Sequence, residues 1–136
     1  MKFKKFDKDK RGGFLYTFYH WLAFNYTAKK LKCWKVRFLF HDIEKPWLML
    51  LWRDYDKVQK WHRMHRKHHI EYHNPSEYDY LGMVIDWECS HLTKIGKEEN
   101  AAETYKNIIN SNFPRYEKEM LSVNIPLILH ELDLLS

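Results

Sequence analysis

The chain has 136 residues, 45% of them hydrophobic, 17% aromatic and 30% charged. That length and balance describe one ordinary domain able to bury a core, leave no need for a second one, and exclude a disordered or fibrous chain. Twenty-three basic against 18 acidic residues give a formal charge of +5, which favours anionic ligands at long range without choosing among nucleotides, phosphate esters and nucleic acid.

Residues 1–13 read as a basic tail, carrying Lys2, Lys4, Lys5, Lys8, Lys10 and Arg11 and lacking the apolar stretch of a signal peptide. After Gly12-Gly13, Phe14 to Leu31 is apolar on most sides, the pattern of a helix surrounded by others, with His20 in its middle. A shorter helix from about Trp34, through Val36, Leu39 and Phe40, delivers His41-Asp42 at its end, and Pro46 opens the next segment. From Asp54 onward Val58, Trp61, His65, His68 and Tyr72 alternate at three and four, flanked by His62 and His69. Histidines thus stand where a bundle would place leucines.

Asn74-Pro75 signals another helix start, followed by the stripe Tyr78, Leu81, Ile85, Cys89 and Leu92. Asp86 lies beside that stripe, with the small residues Gly82 and Ser90 one turn away. Lys94 to Asn100 is a polar connection, Ala101 to Ile109 a further helix, and Asn112-Phe113-Pro114 a break before the last helical stretch, which Pro126 is expected to kink or restart. The closing run from Ile125 to Leu135 is too short for a membrane anchor and carries Glu131 and Asp133. The expected architecture is all-α: a compact single-domain bundle of about five to seven helices over residues 14–136.

Cys33 and Cys89 are far apart and form no CxxC, so the sequence points to neither a disulfide framework nor a thiolate zinc site. A reducing, cytoplasmic setting is the simple expectation, with no membrane span.

The chemistry concentrates in imidazoles and carboxylates. His41-Asp42 offers a neutral nitrogen and an anionic oxygen to a divalent cation, and His20 and Asp86 on other helices are candidates to close the shell. His65 and His69 lie four apart, the spacing that puts two imidazoles on one helix face within reach of one ion. His68 and His69, or His62 and His68, are alternatives, as is an exposed histidine-rich helix that binds metal adventitiously. His20 alone also fits a hydrogen-bonded core residue, and Lys45 a surface lysine.

The order His20, His41-Asp42-Ile43-Glu44-Lys45, His65 and His69, then Asp86 resembles the HD-domain superfamily of metal-dependent phosphohydrolases. Within it, His41 to Lys45 is similar to the His-Asp-Ile-Gly-Lys of the branch that hydrolyses cyclic dinucleotides, with Glu44 in place of Gly and the Gly-Tyr-Pro motif missing. The pattern is closest to small HD-like proteins of bacteria and phages.

The resemblance covers roughly residues 14 to 121 and implies an HD-like helical core. One ion would be held by His20, His41, Asp42 and Asp86, a second by His65 and His69 with Asp42 bridging. The ion would be Mn, Fe, Co, Ni or Zn, since nitrogen and oxygen ligands suit all five. It implies hydrolysis of a nucleotide or other small phosphate ester, Asp42 orienting the attacking water and Lys45 neutralising phosphate charge. A non-catalytic metal- or nucleotide-binding domain and a di-iron oxygenase of the same superfamily are the neighbouring readings. A basic module that docks nucleic acid ranks last, because no recognition motif accompanies the lysines.

Overall fold

Among the described residues five α-helices carry the fold: α1 (Phe14–Lys30), α2 (Tyr55–His65), α3 (Glu77–Thr93), α4 (Ala101–Ile109) and α5 (Arg115–Glu131). Single 3-10 turns lie at Lys8–Lys10 and Val36–Phe40. The computed structural model describes residues 3–11, 13–42, 51, 55–65, 77–97 and 99–134, with the backbone alone at 55, 63–65, 77, 78 and 116. These residues hold no β-strand, and the chain is an all-α single domain.

Helix α3 is the axis. It packs on α1 along one side and on α4 and α5 along the other. Toward α4 and α5 it presents Tyr80, Met83 and Val84, which close a core with Ala101, Ala102, Leu121, Ile125, Ile128 and Leu129. Removing side chains of this size from water contributes about 1.5–3 kcal/mol each. Toward α1 it presents Ile85 and Cys89, which meet Ala23, Phe24, Ala28 and Phe38.

Local chemistry sets the helix ends. The Asn100 side chain accepts from the Glu103 N–H at 2.9 Å and caps α4, while Glu88 on α3 takes the Ala101 N–H at 3.0 Å and ties the two helices together. α1 and α5 both close with a left-handed residue, Lys32 (φ 60°) and Asp133 (φ 58°). At each end paired bonds run back to the last turn, Cys33 N–H to Ala28 O after α1 and Leu134 N–H to Leu129 O after α5.

Two sequence expectations change. α5 runs unbroken through Pro126. A mid-helix proline costs about 3 kcal/mol, and the neighbouring Ile125, Ile128 and Leu129, all buried, offset it by packing against α3 and α4. The basic N-terminal stretch is also docked: Phe6 is buried, its N–H bonds Thr93 O at 2.8 Å and its carbonyl accepts from Ile95 N–H at 3.1 Å. Arg11 clamps the same strip by donating to Ile95 O at 3.0 Å.

Candidate metal centre

His20 lies on the buried line of α1, at helical spacing from Tyr16, Ala23, Phe24 and Thr27. Tyr16 stacks on its ring with centroids 5.8 Å apart, and Phe6 packs edge-on against Tyr16, so the docked N-terminal strip backs the imidazole.

His41 and Asp42 are delivered by the 3-10 turn Val36–Phe40, with His41 as its C-terminal cap. That turn is pinned to α1 by side chains. Trp21 Nε1–H donates to Leu39 O at 2.8 Å, Asn25 Nδ2–H to Phe38 O at 3.1 Å, and Trp34 Nε1–H to Asn25 Oδ1 at 2.8 Å. His41 lies flat on Phe24, 3.7 Å between centroids and 10° between planes. Arg37 reaches α3 through Asp79 at 3.2 Å.

Asp42 has φ 57°. Unlike Lys32 and Asp133 it does not close an α-helix; it turns a carboxylate into the interior. A non-glycine residue held there stores strain, which short polar side chains tolerate best.

Four donors converge. His20 Nε2 lies 3.0 Å from His41 Nε2, 3.1 Å from Asp42 Oδ2 and 3.0 Å from Asp86 Oδ1. His41 Nε2 lies 3.3 Å from Asp42 Oδ2 and 3.5 Å from Asp86 Oδ1. Ligands about 2.1 Å from a common ion, at octahedral or tetrahedral angles, stand about 3.0–3.4 Å apart, a spacing close to the 3.0–3.5 Å seen here. His20, His41 and Asp42 are only 4%, 6% and 1% exposed.

Hydrogen bonds alone account poorly for this arrangement. A neutral imidazole nitrogen donates one proton or accepts one, yet His20 Nε2 faces three polar atoms at bonding distance. Asp86 Oδ1 is buried and makes no hydrogen bond, although His20 stands 3.0 Å away. Asp42, buried, and Asp86, largely buried with its side chain 14% exposed, also carry two negative charges that the interior solvates poorly. A divalent cation would offset that charge, and two triads that share His20 have the donors to hold one: His20, His41 and Asp42 on one side, His20, Asp86 and Cys89 on the other, each with donor atoms within 4.8 Å of one another.

In the ion-free protein the proton does part of that work. Burial opposes charge on His20, but Asp42 and Asp86 outweigh it and raise the imidazole above its ordinary 6.5. Burial would raise the Asp86 carboxyl, but His20 and His41 beside it hold it well below the carboxylate range.

All four residues of the first set expected from sequence, His20, His41, Asp42 and Asp86, meet at this point. The proposed catalytic Lys45 and the second-ion candidate His69 lie outside the described residues, as do His68 and the side chain of His65. In their place stands His62, on α2 one turn from buried Val58 and itself 0% exposed, with Nε2 at 2.8 Å from Asp42 Oδ1. Each Asp42 oxygen thus meets imidazole, one side facing His20 and His41, the other His62. Sequence reading left His62 on the flank; the signal that finds it is its i,i+4 spacing from Val58.

In sequence Cys89 is part of an apolar stripe, and the lack of a CxxC points away from a thiolate zinc site. Cys89 is fully buried one turn from Asp86, and its sulfur, an Asp86 oxygen and a His20 nitrogen all lie within 4.8 Å of one another. Burial, then Asp86, push its thiol well above the ordinary cysteine value.

Comparison of the chain with family models, with curated proteins and with solved structures finds no match. Among the described residues no helix is long and apolar enough to cross a membrane.

Proposed function

We propose that this protein is a metal-dependent phosphohydrolase of HD-domain type, acting on a nucleotide or another small phosphate ester. The observation that carries the reading is the convergence of His20 from α1, His41 and Asp42 from the pinned 3-10 turn, and Asp86 from α3, at 3.0–3.5 Å across five donor pairs. The sequence order of these residues and the all-helical fold support it, and the excess of basic residues suits an anionic substrate.

His20, His41, Asp42 and Asp86 would hold the ion, which when bound polarises a phosphoryl oxygen and makes hydroxide available near neutral pH. Phe24 and Tyr16, packed on the imidazoles, fix their planes. Asp42 Oδ2 faces the two histidines, and His62 holds the other oxygen, so the carboxylate is oriented from both sides. Lys45, three residues beyond Asp42 in sequence, is assigned to the substrate phosphate.

A second reading, a two-ion centre with Asp42 as the bridge, is favoured by the 2.8 Å approach of His62 to Asp42 Oδ1. It serves hydrolysis or oxygen chemistry.

The test is elemental analysis of the purified protein followed by a nucleotide panel assayed for phosphate release. Asp42→Asn is the variant of choice, because asparagine tolerates the left-handed backbone where alanine would add strain. Bound transition metal and chelator-sensitive phosphate release, both lost in Asp42→Asn, are expected. Metal without turnover would leave a binding protein, and hydrolysis indifferent to chelator would overturn the reading.

A further inference from the structure

We propose that Cys89 supplies a thiolate to the ion held at His20 and Asp86, making the centre a mixed nitrogen, oxygen and sulfur site that selects Zn2+, Co2+ or Fe2+ over Mn2+ and Mg2+. The proposal rests on the reading of His20, His41, Asp42 and Asp86 as metal ligands and adds a donor of a different chemical class.

The placement follows from α3. Asp86 and Cys89 are three residues apart, so both side chains leave the helix on the face turned to α1. On that face Cys89 sulfur, an Asp86 carboxylate oxygen and a His20 ring nitrogen lie within 4.8 Å of one another. A zinc–sulfur bond of about 2.3 Å beside bonds of about 2.1 Å to nitrogen or oxygen separates donors by roughly 3–4.4 Å, from adjacent to opposite positions. The three donors, all within 4.8 Å of one another, stand close to that range.

The two partners of the sulfur point the same way. Asp86 Oδ1 is buried and makes no hydrogen bond, and His20 is shared between this triad and the one it forms with His41 and Asp42. The thiol itself makes only a weak contact, 3.4 Å to the Asp86 carbonyl one turn back, so little is lost when the sulfur turns to a cation. Ala23, Phe24, Phe38 and Ile85 surround it and keep water from competing. On binding, the metal–sulfur bond forms as the S–H bond breaks, the proton passes to solvent and no electron is transferred. A soft thiolate then biases the site against the hard ions that an all nitrogen and oxygen set would accept.

Cobalt is the probe. Co2+ added to the ion-free Cys33→Ser protein, in which Cys89 is the only thiol, is expected to give a near-ultraviolet thiolate-to-cobalt charge-transfer band along with its visible ligand-field bands. Cys89→Ala in the same background should keep the visible bands, lose the charge-transfer band, and bind Zn2+ about tenfold or more weaker with Mn2+ affinity unchanged. Visible bands without the charge-transfer band in Cys33→Ser overturn the proposal while the metal centre stands. No cobalt spectrum at all overturns both. Because the spectrum of Cys33→Ser decides alone, a poorly folding Cys89→Ala does not blunt the test.

Discussion

Helix α3 has two unlike sides, and the contrast between them separates a side closed by apolar packing from a side whose residues could hold a metal ion. Toward α4 and α5 its partners are Ala101, Ala102, Leu121, Ile125, Ile128 and Leu129, and burial there is self-sufficient. Toward α1 and the His41-Asp42 turn the interior is nearly as enclosed but holds three imidazoles and two carboxylates, of which Asp86 is partly exposed. Hydrophobic residues of similar volume would commonly be as stable or more so at such positions. A largely enclosed polar cluster that hydrogen bonds leave incomplete is therefore better explained by a ligand than by folding.

The two sides should come apart under mutation. Leu129→Ala and Ile125→Ala remove fully buried side chains and are expected to cost about 2–5 kcal/mol each, read as a lower denaturation midpoint in chelator, with metal content per folded chain unchanged. Asp42→Asn is expected to do the opposite, abolishing metal binding with a smaller loss of stability in chelator. Should Leu129→Ala strip the metal from a protein that is still folded, the division between the sides is wrong.

His62→Gln sharpens the contrast within the polar side. It removes the imidazole that orients Asp42 while leaving all four donors of the first set in place, and an outer partner of this kind is expected to be worth about 10–100-fold in metal affinity. Competition titration against a chelating dye measures it. Complete loss of binding would instead make His62 a ligand in its own right.

Where the sequence speaks locally, it is easily read. The bounds of α4 follow from the Asn100 cap and from the break at Pro114, and α1 from its unbroken helical spacing. Pro126 does not end its helix, since three buried neighbours hold that stretch in place. In α2, Trp61 is the residue a hydrophobic pattern places inside, yet its neighbour His62 is the one fully enclosed. Its i,i+4 spacing from Val58 marks His62 as inward-facing, but the carboxylate it meets, twenty residues earlier in the chain, leaves no mark on the pattern of α2. The four-donor set is legible as residue types in order, since an adjacent His-Asp is itself the signal. Its closure depends on the bonds from Trp21, Asn25 and Trp34 that pin the 3-10 turn, which no motif announces. Cys89 went unassigned because a thiol at helical spacing looks like any small apolar residue.

The smallest expected effect, and the most diagnostic, is the pH dependence of stability with and without metal. In chelator, His20 has a folded value above 6.5, so its contribution is complete below 6.5 and is lost as pH rises through the raised value. Asp86, held well below 3.8, contributes above 3.8 and loses that contribution only as pH falls through its depressed value. The ion-free protein should therefore melt lower as the solution turns from weakly acidic to alkaline. A bound cation takes the place of the His20 proton, so metal affinity and the stability linked to it rise over the same interval. Melting curves across about pH 5 to 9, in chelator and in excess Zn2+, should therefore diverge, the chelator curve falling with rising pH where the Zn2+ curve does not, and His20→Gln should flatten the ion-free slope. Parallel curves would mean that proton and cation do not compete for His20, and the two triads would then lose the residue they share.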